Sequence, residues 1–206
     1  MNKNKSAVIG VVGPMCAGKS LASRMLEEMG CAAIDADTVA HRAVETAKED
    51  ILAHFSAEAE KRGISLLTGD GKIDRRALGA IVFSGKALLK EHESIVYPHI
   101  EAELNRFIDS NRDRCTVLNA AVLYKTDIIY RCDFILYIDS PMLLRFFRAL
   151  KRKNLSVIQI LQRFYAQKDI YTQHCKKNVD IYKVYNWGQA ANLREQLKSV
   201  LEMKGY

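Results

Sequence analysis

The sequence predicts an α/β fold built on a parallel central sheet. Three observations lead there. A short apolar strand runs into a glycine loop, a helix and a second strand. Two more apolar, β-branched runs lie downstream. A long helical stretch without strand character separates the two groups. Strand, loop, helix and strand in this order form a right-handed parallel unit, and the intervening helices suggest a small lobe on the sheet.

The elements follow in order. Residues 7–12 are a buried strand closed by Gly13. From Lys19 to Gly30, Leu21, Ala22, Met25, Leu26 and Met29 recur at helical spacing, and Gly30 suits the position just past a helix end. Residues 31–34 are a second strand ending at Asp35-Ala36-Asp37. From Thr38 to Phe55 one helix is expected, with Val39, Ala43, Ala47, Ile51 and Phe55 on its apolar stripe. Thr68-Gly69-Asp70-Gly71 reads as a loop, and Asp74 as the cap of a helix reaching about Phe83. A helix over 86–110 carries Leu88, His92, Ile95, Ile100, Leu104 and Phe107, and Pro98 is expected to kink or split it. Strands follow over 116–123 and 134–138. Ser140-Pro141 reads as cap and first residue of a helix to about Lys153. Ser156 caps another helix, with Val157, Ile160, Leu161 and Phe164 inward. A strand over 179–185, a turn at Asn186-Trp187-Gly188 and a helix over 189–203 close the chain.

Composition bounds the function. The 206 residues are 49% hydrophobic and 27% charged, which supports a sizeable core and excludes a disordered chain. No run approaches the roughly 18 apolar residues of a membrane span, and the basic start leads into a strand and not a signal peptide, so a cytoplasmic protein without a membrane partner is expected. Five cysteines, Cys16, Cys31, Cys115, Cys132 and Cys175, show no zinc spacing, so reduced and mostly buried thiols are expected. The net charge of +7 favours an anionic partner, which charge alone leaves open between a polyphosphate substrate and nucleic acid.

The chemistry concentrates at Gly13-Pro14-Met15-Cys16-Ala17-Gly18-Lys19-Ser20, a complete G-x4-G-K-S phosphate loop between a strand and a helix. The glycines let main-chain N–H groups turn toward a phosphate chain, and the helix N-terminus adds its positive dipole end. Lys19 can reach the β- and γ-phosphates, and the Ser20 hydroxyl can bind Mg²⁺. Cys16 is expected to pack and not to react. Asp35 and Asp37, two residues apart past a strand end, are expected on one side, one as a proton acceptor and one holding Mg²⁺ through water. Asp37 also suits the cap of the following helix. Arg145, Arg148 and Arg152 share a helix face; they can stabilise a migrating phosphoryl group or form a solvated basic surface, with Arg163 a further candidate. His41 lies one helical turn beyond the acidic pair.

Several segments together resemble the dephospho-CoA kinase family: the phosphate loop, Ile34-Asp35-Ala36-Asp37-Thr38-Val39-Ala40-His41, Asp70-Gly71-Lys72-Ile73-Asp74-Arg75-Arg76-Ala77-Leu78 with Val82-Phe83, and Tyr97-Pro98. Leu150-Lys151-Arg152, Gln162-Arg163-Phe164-Tyr165-Ala166-Gln167, and the stretch from Val179-Asp180 to Asn186-Trp187-Gly188 continue the likeness over nearly the whole chain. The resemblance implies a three-layer P-loop kinase fold, with a core over about 1–37, 114–140 and 176–206, a helical substrate lobe over 38–113 and a helical lid over 141–175. It implies ATP-dependent phosphorylation of the ribose 3′-hydroxyl of dephospho-CoA, with ATP and Mg²⁺ as cofactors and no nucleic-acid partner. ATP would meet Gly13 through Leu21, Arg148 and Asn186. Lys19, Asp37, Arg148 and Arg152 would be catalytic, with Asp37 the general base. Ser20 and Asp35 would hold the metal. Asp35, Asp37, His41, Arg75, Arg76, Pro98 and Arg163 would meet the acceptor. The oligomeric state stays open, as do two alternatives: another P-loop small-molecule or nucleotide kinase, and a degenerate nucleotide-binding paralogue with a basic nucleic-acid face. The chain departs from the family pattern at Pro14, Cys16, Tyr97, Asn119 and Lys125, and Pro14 removes one N–H donor from the loop.

Overall fold

The computed structural model describes residues 6–152 and 156–206. Its elements run β1 (Val8–Val12), α1 (Lys19–Glu28), β2 (Ala32–Asp35), α2 (Ala36–Thr46), α3 (Lys48–Lys61), α4 (Arg75–Val82), α5 (Lys86–Ser110), β3 (Thr116–Asn119), β4 (Phe134–Asp139), α6 (Met142–Lys151), α7 (Val157–Ala166), α8 (Ile170–Cys175), β5 (Ile181–Tyr185) and α9 (Ala190–Lys204). The chain divides into two compact units. One comprises the chain up to Asp35 and from Asn105 onward; the other is Ala36–Leu104.

In the first unit the five strands pair in the order β2-β3-β1-β4-β5, and every pairing is parallel. Such a sheet must be covered on both faces. One face buries Ile9, Val11, Val117, Leu136, Ile138 and Val184 together with Leu26 of α1 and Leu193 and Leu197 of α9. The other face is covered by two 3₁₀ turns, Leu123–Lys125 and Asp127–Arg131, neither expected from the sequence. Gly10 makes room there: a Cβ would lie 2.9 Å from Leu123 Cδ2 and 3.2 Å from Ile135 Cγ1, so those side chains would have to shift. These turns shorten the expected strand over 116–123: the β1–β3 ladder ends where the Ala120 N–H meets Val11 O at 3.0 Å.

Around this sheet two helix ends show the capping chemistry read in the sequence. Gly30 has φ +101°, and the N–H groups of Gly30 and Cys31 close α1 on Glu27 O and Leu26 O. Ser156 and Gln159 form a complete capping box at α7. Ser140 does not cap α6, however. Pro141 holds the extended cap position, and the helix stops at Lys151; Lys153 lies outside the described residues. In α7 only Ile160 and Phe164 are buried, and Val157 and Leu161 are about half exposed, so the inward stripe is narrower than its periodicity suggests. α8 was not anticipated, because six residues give no readable period.

In the second unit the single helix expected over 38–55 is two helices that meet at Ala47 and reach further, to Lys61. The bonds from Ala47 N–H to Ala43 O and from Ile51 N–H to Ala47 O persist, so one apolar stripe survives the join. Asp74 accepts from the N–H groups of Arg76 (2.9 Å) and Ala77 (3.0 Å) as the cap of α4. Before it, Leu67 and Ile73 bridge antiparallel around the Thr68–Lys72 loop. α5 runs through Pro98 without a break. Its buried positions are Val96, Ile100, Leu104 and Ile108, a four-residue repeat that keeps Ile100 and Leu104 of the stripe read in the sequence and puts Val96 and Ile108 in place of Ile95 and Phe107, and Pro98 sits on its exposed side. A proline there disturbs only solvent-facing backbone.

Replacing Asp74 by alanine leaves two α4 amides unpaired, and a stability loss of about 1 kcal/mol is expected. Urea unfolding checks this as a lower midpoint at unchanged slope.

Candidate active site

The site starts at the C-terminal end of β1, where the chain must turn into α1 within a few residues. Gly13 has φ +148°, Cys16 φ +62° and Gly18 φ +109°. A Cβ at Gly13 would lie 2.4 Å from Ile138 O, and one at Gly18 would lie 2.0 Å from Asn186 Nδ2. Both glycines are therefore required for space as well as for backbone conformation. Cys16 takes a left-handed conformation that favours glycine, at a cost of about 1–2 kcal/mol. The loss is offset by burial: Cys16 packs with Ala149, Ile160 and Phe164, beside Met15 and Phe146.

The loop carbonyls are tied down by side chains from distant parts of the chain. Asn186 donates from Nδ2 to Ala17 O at 2.7 Å. Arg148 donates to Cys16 O (3.3 Å), Ala17 O (3.4 Å), Ser140 Oγ (3.1 Å) and Asn186 O (3.1 Å). Ser140 donates its hydroxyl to Asn186 O at 2.9 Å. The hydroxyl read as a helix cap thus belongs to a network joining the ends of β4 and β5 to the loop. Lys19 donates to Gly13 O at 3.0 Å, the Met15 N–H donates to Gln167 Oε1 at 2.6 Å, and in the first turn of α1 the Leu21 N–H donates to Gly18 O at 3.0 Å.

Of the two readings open for the arginines of α6, a fully solvated basic face does not describe them. Arg145 is half-buried, 4.8 Å over the Phe164 ring, and burial lowers its pKa from the ordinary arginine value. Arg148 is engaged under the loop, and only Arg152, at the C-cap of α6, and Arg163, on α7, are exposed. Helical spacing set the common face, but the aromatic and carbonyl partners drew two of the arginines inward.

Ser20, Asp35 and Asn119 line one cavity of about 230 Å³ with Ser23, Arg24 and Glu27. Asn119 donates from Nδ2 to Asp35 Oδ2 at 2.8 Å, while its buried Oδ1 has no hydrogen-bond partner. This oxygen-donor set suits a hard, hydrated cation such as Mg²⁺, which takes few protein ligands. Among the described residues no group of three or more His, Cys, Asp or Glu forms a metal cluster of its own. Asp37 departs from the expected geometry. α2 begins at Ala36, so Asp37 is in the first helical turn, neither its cap nor on a continued strand. The two-residue alternation that would place it beside Asp35 does not apply.

In the second unit His41, Arg75 and Arg76 line one open cavity of about 970 Å³ with Thr38, Lys72 and the carboxylates Glu45, Asp70 and Asp74. His41 and Arg75 also border an apolar cavity of about 300 Å³ formed by Val44, Leu78, Val82, Val96 and Ile100, with Tyr97 at its wall. Pro98 lines neither. Gln167 and Ser140 are site residues the sequence reading did not single out. The first lay inside a quoted motif, and the second carried a misleading capping signature.

The family model for dephospho-CoA kinase matches residues 7–186. This chain belongs to the dephospho-CoA kinase family. Dephospho-CoA kinase from Treponema denticola is 40% identical over 97% of this chain and 91% of its own length. The solved dephospho-CoA kinase from Campylobacter jejuni superposes with a TM-score of 0.70 at 25% identity, covering 97% of this chain and 98% of its own. A shikimate kinase from Acinetobacter baumannii, at 15% identity and a TM-score of 0.52 over 98% of this chain and 94% of its own, shares the fold alone. The α/β parallel architecture is that of P-loop kinases. No helix among the described residues is long and apolar enough to cross a membrane.

Asn186→Ala removes the 2.7 Å donor to Ala17 O and leaves that carbonyl only the 3.4 Å contact from Arg148, with an expected loss of about 1 kcal/mol. Hydrogen-exchange mass spectrometry is expected to show faster exchange over 13–20, with the amides of α9 unchanged.

Proposed function

We propose that this protein transfers the γ-phosphoryl group of ATP to the ribose 3′-hydroxyl of dephospho-CoA, yielding coenzyme A and ADP. The observation that carries this reading is family membership across residues 7–186, coinciding with a complete and rigidly braced phosphate loop. Phosphoryl transfer needs little covalent help from a protein; it needs alignment and a fixed field for the charge spread over the migrating group.

The residues divide this work. Within Gly13–Leu21, the backbone N–H groups not already donated to Gln167, Pro14 O or Gly18 O cradle the triphosphate at the positive end of α1, and Pro14 has none to give. Lys19 moves from Gly13 O onto the β- and γ-phosphates. Asn186, whose backbone turns the chain at the loop, borders the nucleotide base. Ser20 and Asp35 hold Mg²⁺, directly or through water, and bound there it neutralises charge on the phosphate oxygens. Asp35 is oriented for this by Asn119. Asp37 accepts the proton of the attacking hydroxyl. The groove of His41, Arg75 and Arg76 carries cationic and hydrogen-bonding groups for the acceptor's own phosphates, with Pro98 on the neighbouring helix. Arg152 and Arg163, exposed on α6 and α7, and Arg148 under the loop supply positive charge to the transferring group. Residues 38–113 serve as the acceptor lobe and 141–175 as the lid in this reading.

Coupled detection of ADP is the direct test: release should depend on dephospho-CoA and on Mg²⁺, and purified enzyme that shows no such dependence overturns the assignment. In Asp37→Asn, turnover is expected to fall by about 10²-fold or more, while ATP affinity measured by calorimetry stays close to that of the parent. Turnover near the parent level would remove Asp37 from the role of base.

A further inference from the structure

The edge of the sheet opposite the phosphate loop carries a feature that phosphoryl transfer does not use. Cys31 and Cys115 each stand one residue before the paired positions Ala32 and Thr116 of the parallel strands β2 and β3. The Ala32 N–H bonds to Cys115 O at 2.8 Å, so the ladder already runs at that level. Paired residues on neighbouring parallel strands point to the same face, with Cα atoms about 5 Å apart, inside the ~4.4–6.8 Å range a disulfide spans. Both thiols pack against the same apolar cluster, both are half-buried, and they hydrogen-bond to each other.

We infer that Cys31 and Cys115 form a dithiol modification site, which a small-molecule disulfide oxidises to an intramolecular disulfide across the β2–β3 entry. The steps balance. The Cys115 thiolate attacks one sulfur of R–S–S–R, forming Cys115–S–S–R and releasing RS⁻, which takes up a proton. Cys31 then loses its proton, and its thiolate attacks the Cys115 sulfur. The Cys31–Cys115 bond forms and a second RSH leaves. Two protein thiols are oxidised, and one disulfide is reduced to two thiols.

The order of attack follows from the environment. The Cys31 S–H hydrogen-bonded to it, joined by the Ala7 backbone, draws the Cys115 thiol down to about 6, against the opposing effects of burial and of the Asp133 charge. The same contact, with burial, pushes the Cys31 thiol up. Cys115 is therefore the thiol that ionises more readily and attacks first, and Cys31 the resolving thiol. Cys175 is exposed but has no second cysteine placed as its partner among the described residues, and Cys132 is buried with its pKa pushed up to about 12, first by burial. The site lies four residues upstream of Asp35 and Asn119 along its strands, about 13 Å at 3.3 Å per residue.

Full-length Cys175→Ser protein, incubated with glutathione disulfide at neutral pH, alkylated and mapped by mass spectrometry without reduction, tests the proposal. The expected product is a single Cys31–Cys115 cross-link with no glutathione retained on either residue. Adding Cys31→Ser should make glutathione accumulate stably on Cys115. Adding Cys115→Ser should leave Cys31 slower to react than Cys115 is in the Cys31→Ser protein, because burial still holds the Cys31 thiol up. Glutathione persisting on Cys115 while Cys31 is present, or no reaction of either thiol in the folded protein, overturns the site; equal reactivity of Cys31 without Cys115 overturns the assigned order. The mapping of the protein that retains both thiols decides the first point even if a double substitution fails to fold, which circular dichroism reports.

Discussion

The turn from β1 into α1 is the constraint on which the rest of the structure depends. Three left-handed or glycine-only backbone positions, Gly13, Cys16 and Gly18, occur within six residues. A chain so bent holds its shape only if its carbonyls find partners from outside the turn. Arg148 and Asn186 supply them, and Ser140 links the two. These side chains come from the far ends of β4, β5 and α6, so the parallel sheet has to be complete before the loop can be. The mutual dependence also explains the tight fit at Gly18, where the Asn186 amide occupies the space a Cβ would need.

Cys16 shows how such a loop tolerates a substitution that its backbone disfavours. The residue gives up glycine's conformational freedom but places a sulfur among Ala149, Ile160 and Phe164. The strain at the loop and the packing of α6 on α7 are thus one balance, and Arg145 stacked on Phe164 belongs to the same cluster. Asn119 is a comparable adjustment. An amide at the end of β3 can donate to Asp35, which a second carboxylate would repel at neutral pH. The amide oxygen remains available toward the cavity that Ser20 also lines.

Some elements were legible because they obey local rules. The strand–loop–helix opening, the Asp74 and Ser156 caps and the closing helix all rest on residues within four positions of one another. The failures have one origin. Ser140 has the signature of a cap, yet its hydroxyl goes to Asn186, 46 residues away. Val157 and Leu161 have helical spacing toward a core that reaches only Ile160 and Phe164. The thiols were expected to be mostly buried, but only Cys16 and Cys132 are, and the pairing of Cys31 with Cys115 spans too many residues for any local pattern to show. Arg145, Arg148 and Arg152 share a face by periodicity and then part company according to what each meets.

By itself, the sequence determined the α/β class, the phosphate loop with Lys19 and Ser20, and the family, because glycine spacing and short motifs encode backbone conformations locally. Tertiary structure decided which side chains brace that loop, that Asn119 orients Asp35, that Asp37 opens a helix, and that His41, Arg75 and Arg76 share a cavity. The physical reason is range. A turn or cap is settled by neighbours along the chain, whereas a hydrogen bond between distant segments exists only after the sheet has paid the entropy of bringing them together.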